Sequence, residues 1–151
     1  MNIITTTDAA LLAKLNEPIQ SLHCQLYPDE FMPFDEAAVR SYFESHIANY
    51  AFVHFLATDA DIVMGFAQLE IQERKANAFK KPSRKIHVHQ LVVLPQHRRK
   101  GIATALMNKV HEYGAEQGIT QIDLTVWDRN TEAIEFYKSL GYKPDLIRLY
   151  R

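Results

Sequence analysis

The sequence has a single cysteine, Cys24. No internal disulfide can form, which fits a reducing compartment. No apolar run approaches the roughly 20 residues that a membrane helix requires. Residues 1–8 lack the basic stretch and apolar stretch of a secretory signal, so the cytoplasm is the expected location. Charge of one sign is not in excess: 17 Lys and Arg stand against 18 Asp and Glu, for a net charge of -1. That balance excludes a global pull toward nucleic acid or an anionic membrane, so neither is expected as a partner. With five glycines and six prolines in 151 residues, there is no glycine- or proline-rich linker, and we find no repeat or low-complexity tract. What is present suits one folded domain over residues 1–151. Hydrophobic residues make up 47% and charged residues 23%, ordinary proportions for a chain that buries a single core.

The order of elements follows from hydrophobic period and turn residues. Residues 2–6 are β-prone. Thr7 or Asp8 can cap a helix whose Leu11, Leu12, Leu15, Ile19, Leu22 and Leu26 recur at helical spacing, with Pro18 expected to break or kink it. Residues 27–33 read as a loop, and Asp35 opens a second helix with Val39, Phe43 and Ile47 on one face. Residues 51–58 and 62–72 form a hairpin pattern around a turn at 59–61. A basic, solvated loop is expected over 73–85, and a strand over 86–94 that Pro95 stops. A helix over 101–117 ends at Gly118, followed by a strand over 120–127. Asn130 caps a helix over 131–140, and residues 146–150 suit a last strand. The chain is thus expected to be α/β (an α+β mixed sheet), with helices on both faces of a central mixed sheet.

The sharpest local feature runs from Gln96 to Thr104: Gln-His-Arg-Arg-Lys-Gly-Ile-Ala-Thr. It joins a buried strand to a long amphipathic helix. The first N–H groups of a helix lack intrahelical partners and sit at the positive end of its dipole, so the junction can hold an anion. Gly101 and Ala103 keep side-chain bulk away from the backbone, and Arg98, Arg99 and Lys100 add positive charge at the rim. Neither the Walker A pattern nor the dinucleotide G-x-G-x-x-G pattern is present. The loop alone is equally consistent with a solvent-facing basic turn.

Arg98-x-x-Gly101-x-Ala103 resembles the [QR]-x-x-G-x-[GA] signature of the GCN5-related N-acetyltransferase (GNAT) superfamily. Leu91-Val92-Val93-x-Pro95 resembles the strand before that motif. Asn-x-x-Ala-x-x-Phe-Tyr-x-x-Leu-Gly-Tyr, from Asn130 to Tyr142, resembles the family's C-terminal motif. The motifs occur in the family's order, and the element order follows the family along the chain. The resemblance implies acetyl-CoA (coenzyme A) as cofactor. Its pantetheine arm would enter a gap between strands 86–94 and 120–127, pairing with backbone groups of Leu91 and Val93 beside Val92. Its pyrophosphate would lie on the N–H groups of Arg98, Arg99, Lys100, Gly101, Ile102 and Ala103, with the Thr104 hydroxyl adding a bond. Asn130 and Tyr137 would line its far side, although Asn130 is also a plain helix cap.

Acetyl transfer needs an unprotonated amine, a polarised carbonyl and a hydrogen-bond or proton donor for the leaving sulfur. Tyr137 occupies the family position of that donor; a phenol with a reference pKa near 10 is protonated at neutral pH. Several family members carry a glutamate on the strand before the loop where this sequence has His89. Histidine can accept a proton at neutral pH, so His89 is the candidate base, with Glu70 and a water as alternatives. His87 lies two residues away and shares its sheet face. The two histidines lack a third metal ligand, and no metal is expected. Residues 27–35 match the region that builds the family's acceptor pocket. There Asp29, Glu30, Asp35 and Glu36 can attract a cationic amine, and Phe31 and Phe34 can contact its apolar parts. The expected acceptor is a primary amine of a small molecule such as a polyamine, an aminoglycoside or an amino-acid derivative. A protein N-terminus or lysine is the alternative, as is a non-catalytic acyl-CoA sensor. Family members are often homodimers, and the C-terminal strand is a pairing edge for a second copy.

Overall fold

The computed structural model describes residues 1–151. Its strands are β1 (Asn2–Thr5), β2 (Phe52–Asp59), β3 (Ile62–Arg74), β4 (Ser83–Val93) and β5 (Ile122–Leu124). Its helices are α1 (Ala9–Leu26), α2 (Glu36–Ile47), α3 (Ile102–Glu116) and α4 (Thr131–Ser139). The five strands form one sheet in the order β1-β2-β3-β4-β5. Antiparallel pairing joins β1 through β4, and β4–β5 is parallel. This is the mixed sheet that the alternation of strands and helices predicts.

Side-chain alternation along the strands divides the core between two faces. Leu56, Phe66 and Val92 pack with Leu12, Ala13 and Leu15 of α1 and Phe43 of α2. Phe55, Ala57, Ala67, Leu69, Ile86 and Val88 pack on the other face with Leu106, Met107 and Val110 of α3. Helices therefore cover both faces. Asp8 and Asp35 start α1 and α2 by accepting from the N–H groups of Leu11 (2.9 Å) and Ala38 (3.1 Å).

Four expectations need correction. α1 does not break at Pro18 but runs on to Leu26; a helix-interior proline costs about 3 kcal/mol, and burial of the Leu12, Leu15 and Phe43 cluster on the sheet offsets it. The basic loop is shorter than residues 73–85, because β3 and β4 extend to Arg74 and Ser83 and pair there. Arg84 is taken up by Glu73 at 3.1 Å and Lys85 by Asp123. Residues 146–150 form no strand, and Leu146, Ile147, Leu149 and Tyr150 are exposed. They pair with neither outer edge of the sheet, and propensity without a ladder does not make a strand. β5 is likewise shorter than residues 120–127, since its pairing with β4 stops at Val88↔Leu124.

That early stop positions the site. Beyond Val88, β4 has β3 on one side and no strand on the other. Gly65 of β3 allows the close approach on the paired side, where a Cβ would lie 2.3 Å from the Val92 carbonyl oxygen.

Candidate active site

A cleft of about 720 Å³ opens where β4 and the segment after β5 part. One wall is His87–Leu91 of β4 and the other is Thr125–Trp127 with Asn130, Ala133 and Tyr137 of α4. Its far end is closed by α1, by Phe31, Met32 and Pro33, and by the start of α2.

The backbone of β4 is directed toward this gap. Leu94 N–H donates to the Met64 carbonyl at 2.9 Å, and Val92 stands opposite Phe66. Bonding alternates along an antiparallel pair. Val92 and Leu94 therefore face β3, whereas Leu91 and Val93 turn their N–H and C=O groups to the open edge. The Val93 carbonyl on that edge accepts from Arg98 Nε at 3.3 Å. Val92 itself is 3% exposed and packs in the α1/α2 core, so its side chain is not part of the cleft.

The loop past β4 turns through a 3₁₀ turn, Pro95–His97, and then takes positive φ at Arg99 (62°) and Gly101 (76°). The first α3 bond is Ala105 N–H to Gly101 C=O. No intramolecular acceptor meets the N–H groups from Arg99 through Thr104. They form a run of donors at the positive end of a helix, an anion cradle. A Cβ built on Gly101 meets no atom within 4 Å, so the space in front of the cradle is open. Ile102 is buried and contributes only its backbone N–H. Lys100 Nζ is turned to the Gln96 carbonyl at 3.2 Å.

Two histidine–carboxylate pairs stand at the centre. His87 Nδ1 lies 2.6 Å from Asp123 Oδ1, and His89 Nε2 lies 2.7 Å from Glu70 Oε2. In each pair one ring nitrogen meets the carboxylate and the other makes no hydrogen bond within the chain. The rings are 4.6 Å apart in a T-shaped contact, both on the cleft wall, as their spacing predicts. Burial pushes the Glu70 carboxyl up, but hydrogen bonds from Gln72 and His89 and the charges of His89 and His87 outweigh it, and it titrates below the ordinary range. Asp123 behaves likewise: burial raises it, while the bonds and charges of Lys85 and His87 bring it below the usual value. Both carboxylates are thus stable anions that orient imidazoles. Glu70 does not line the cleft.

Tyr137 lines the cleft, and its hydroxyl makes no hydrogen bond within the chain and is not sealed from solvent. Burial, with a smaller contribution from Tyr142, raises its pKa well above that of a free phenol. Asn130 both lines the cleft and caps α4, accepting from Ala133 N–H at 3.3 Å. The Thr104 side chain is partly buried in the first turn of α3. Of the expected acceptor residues, Phe31 and Asp35 line the cleft. Asp29, Glu30 and Glu36 are exposed and Phe34 is partly buried, all outside its lining.

The sequence does not disclose Asp123, which gains meaning only through the register that pairs it with His87. Nor does it disclose a polar chain that runs from the cleft lining into the core. Tyr42 Oη donates to Gln68 Oε1 at 3.0 Å, Gln68 Nε2 donates to His54 Nε2 at 3.1 Å, and Gln90 links Gln68 to Asn16. Burial, aided by the charge of His46, lowers His54 to about 4, so it is neutral at physiological pH.

A model of the acetyltransferase (GNAT) family matches residues 17–142. An N-alpha-acetyltransferase of Saccharolobus solfataricus is 34% identical over 109 residues, covering 68% of this chain and 63% of the relative. An uncharacterized N-acetyltransferase of Methanocaldococcus jannaschii is 34% identical over 91 residues, covering 60% of this chain and 34% of the relative. The chain therefore spans less than two thirds of the length of either relative. Among solved structures, the tetramutant of the BH1408 protein of Bacillus halodurans shares the fold, with a TM-score of 0.93 at 19% identity over 100% of this chain and 99% of that one.

Proposed function

The chain belongs to the GNAT acetyltransferase family, and from that premise we propose that it transfers the acetyl group of acetyl-CoA to a primary amine. The observation that carries this reading is a run of backbone groups without partners, from the open β4 edge at Leu91 and Val93 to the N–H groups of Arg99 through Thr104, which starts at Leu91 in the cleft that Tyr137 also lines. The donors fit a pyrophosphate, the edge fits the amide-bearing pantetheine arm, and the phenol fits a sulfur at the arm's end.

Acetyl-CoA supplies a thioester whose C–S bond breaks as the amine nitrogen bonds to the carbonyl carbon. The chain's own groups do the rest. An amine arrives protonated at neutral pH and must lose a proton before it attacks. His87 and His89 both line the cleft, and the ring nitrogen that each leaves unbonded is the candidate to take it, directly or through a water. Asp123 and Glu70 hold each imidazole by one ring nitrogen and so fix which nitrogen it presents. This reading gives His89 an equal partner in His87 and assigns Glu70 to orientation.

Tyr137 acts as a hydrogen-bond donor to the leaving sulfur. Its raised pKa lies above that of a thiol, about 8.5, so full transfer of its proton to the thiolate is uphill. The thiolate takes its proton from the solvent or from the protonated histidine instead. The similarity to an N-alpha-acetyltransferase supports an α-amine as a second class of acceptor.

The test is thiol release from acetyl-CoA across a panel of amines and short peptides, with product masses recorded. Amine-dependent release matched by an acetylated amine supports the reading. Saturable acetyl-CoA binding with no release on any amine replaces it with a sensing role.

A further inference from the structure

The acceptor end of the cleft is walled by aromatic rings and almost free of carboxylates. Phe31 stacks on His23 with centroids 4.7 Å apart and meets Trp127 edge-on at 5.1 Å. Tyr27 supports Trp127 from outside the cleft at 4.8 Å. It is fixed there: its hydroxyl bonds Asp128 and accepts from Arg129 N–H at 2.9 Å, and the Arg129 guanidinium lies 4.7 Å over its ring. The rings that face the cleft are therefore held in place before a ligand arrives, and burial lowers the pKa of His23, which disfavours its charged form.

Charge is scarce by comparison. Asp35 is the one carboxylate among the lining residues, and one of its oxygens caps α2 at Ala38 N–H. Asp128 lies outside the lining and is engaged by the Tyr27 hydroxyl. A polyamine or aminoglycoside brings several ammonium groups. Each one that leaves water without an anionic partner carries a desolvation cost. An aryl or branched apolar group gains from the same wall through buried area and ring contacts.

We propose that the acceptor is a small monoamine carried on an aromatic or bulky apolar group, with Phe31 and Trp127 as its platform. This rests on the acetyltransferase reading above and narrows its acceptor, setting polycations aside. The transfer is unchanged: the amine nitrogen gains the acetyl group and loses a proton, and coenzyme A leaves as the thiol.

The experiment compares 2-phenylethylamine and tryptamine with spermidine, kanamycin and a short peptide in thiol release at saturating acetyl-CoA, with acetyl-CoA affinity measured by calorimetry on the same protein. The expected kcat/KM is on the order of 100-fold higher for the aryl monoamines, the scale on which an apolar pocket discriminates. Phe31→Ala is expected to raise KM for 2-phenylethylamine by about 10-fold or more with acetyl-CoA affinity within about twofold. Phe31→Leu, which keeps the apolar volume, is expected to retain most of the wild-type KM and guards against a misfolded alanine variant. A preference for polycations or for the peptide, or an unchanged KM in Phe31→Ala, overturns the proposal while leaving the transferase reading in place. Absence of acetyl-CoA binding removes both.

Discussion

Replacing Gly101 by aspartate tests the anion cradle most sharply, because the protein itself has room for the side chain. A Cβ at this position meets nothing within 4 Å, so the substitution makes no clash. Its cost to the fold is the positive φ of 76°, about 1–2 kcal/mol for an L-residue. Its cost to the ligand is larger. A carboxylate about 6 Å from a pyrophosphate, at an effective dielectric near 40, opposes each phosphate charge by about 1.4 kcal/mol. Two such charges, reduced by salt screening, leave about 2 kcal/mol. Coenzyme A affinity should therefore fall by a factor of about 30 or more. Gly101→Ala carries the backbone strain and the Cβ without the charge, and its loss should be smaller. The gap between the two variants should narrow as salt is raised. Calorimetry with coenzyme A, with circular dichroism to confirm the fold, makes the comparison. A folded aspartate variant that binds within about twofold of wild type would refute the placement of the pyrophosphate.

Three further outcomes follow from the same geometry. Tyr137→Phe should lower kcat by on the order of 100-fold, the cost of losing one aimed donor, with acetyl-CoA affinity unchanged; a wild-type rate would leave Tyr137 as a packing residue. Replacing His87 and His89 together by glutamine should flatten the acid limb of the pH–rate profile, since imidazole is the side chain that changes charge between pH 5 and 8, and an unaltered limb would remove both as proton acceptors. His54, held near 4 by burial, binds fewer protons folded than unfolded, so its contribution to stability is fully present above pH 6.5 and is lost as pH falls toward 4. The loss reaches about 3 kcal/mol, and urea unfolding of His54→Gln should show a correspondingly shallower decline with acid than wild type.

Much of this was legible in the sequence because it depends on local rules. Asp8, Asp35 and Asn130 are helix caps by residue type and position, and each caps the helix expected of it. Gly101 is required where a strand turns into a helix with positive φ. His87 and His89 share a face because they are two residues apart. The remainder depends on which residues meet across the fold. The Asp123 carboxylate reaches His87 only in one parallel register. The shift between Gln68 and Leu69 in the β3–β4 pairing places His89 between paired positions, and strand alternation alone does not reveal it. The aromatic wall joins a loop after α1 to a segment more than 90 residues later, and no spacing rule spans that distance. At the C-terminus the local rule failed: residues 146–150 have the composition of a strand but join no edge of the sheet.

The proposed cofactor site runs along the backbone from Leu91 to Thr104. Residue-resolved amide hydrogen exchange, with and without saturating acetyl-CoA, tests it directly. The N–H groups of Arg99 through Thr104 have no partner in the chain and should exchange rapidly when free, then slow markedly when the cofactor is bound, together with Leu91 and Val93. Unchanged exchange across this segment at saturation, or protection confined to another face of the protein, would contradict the account.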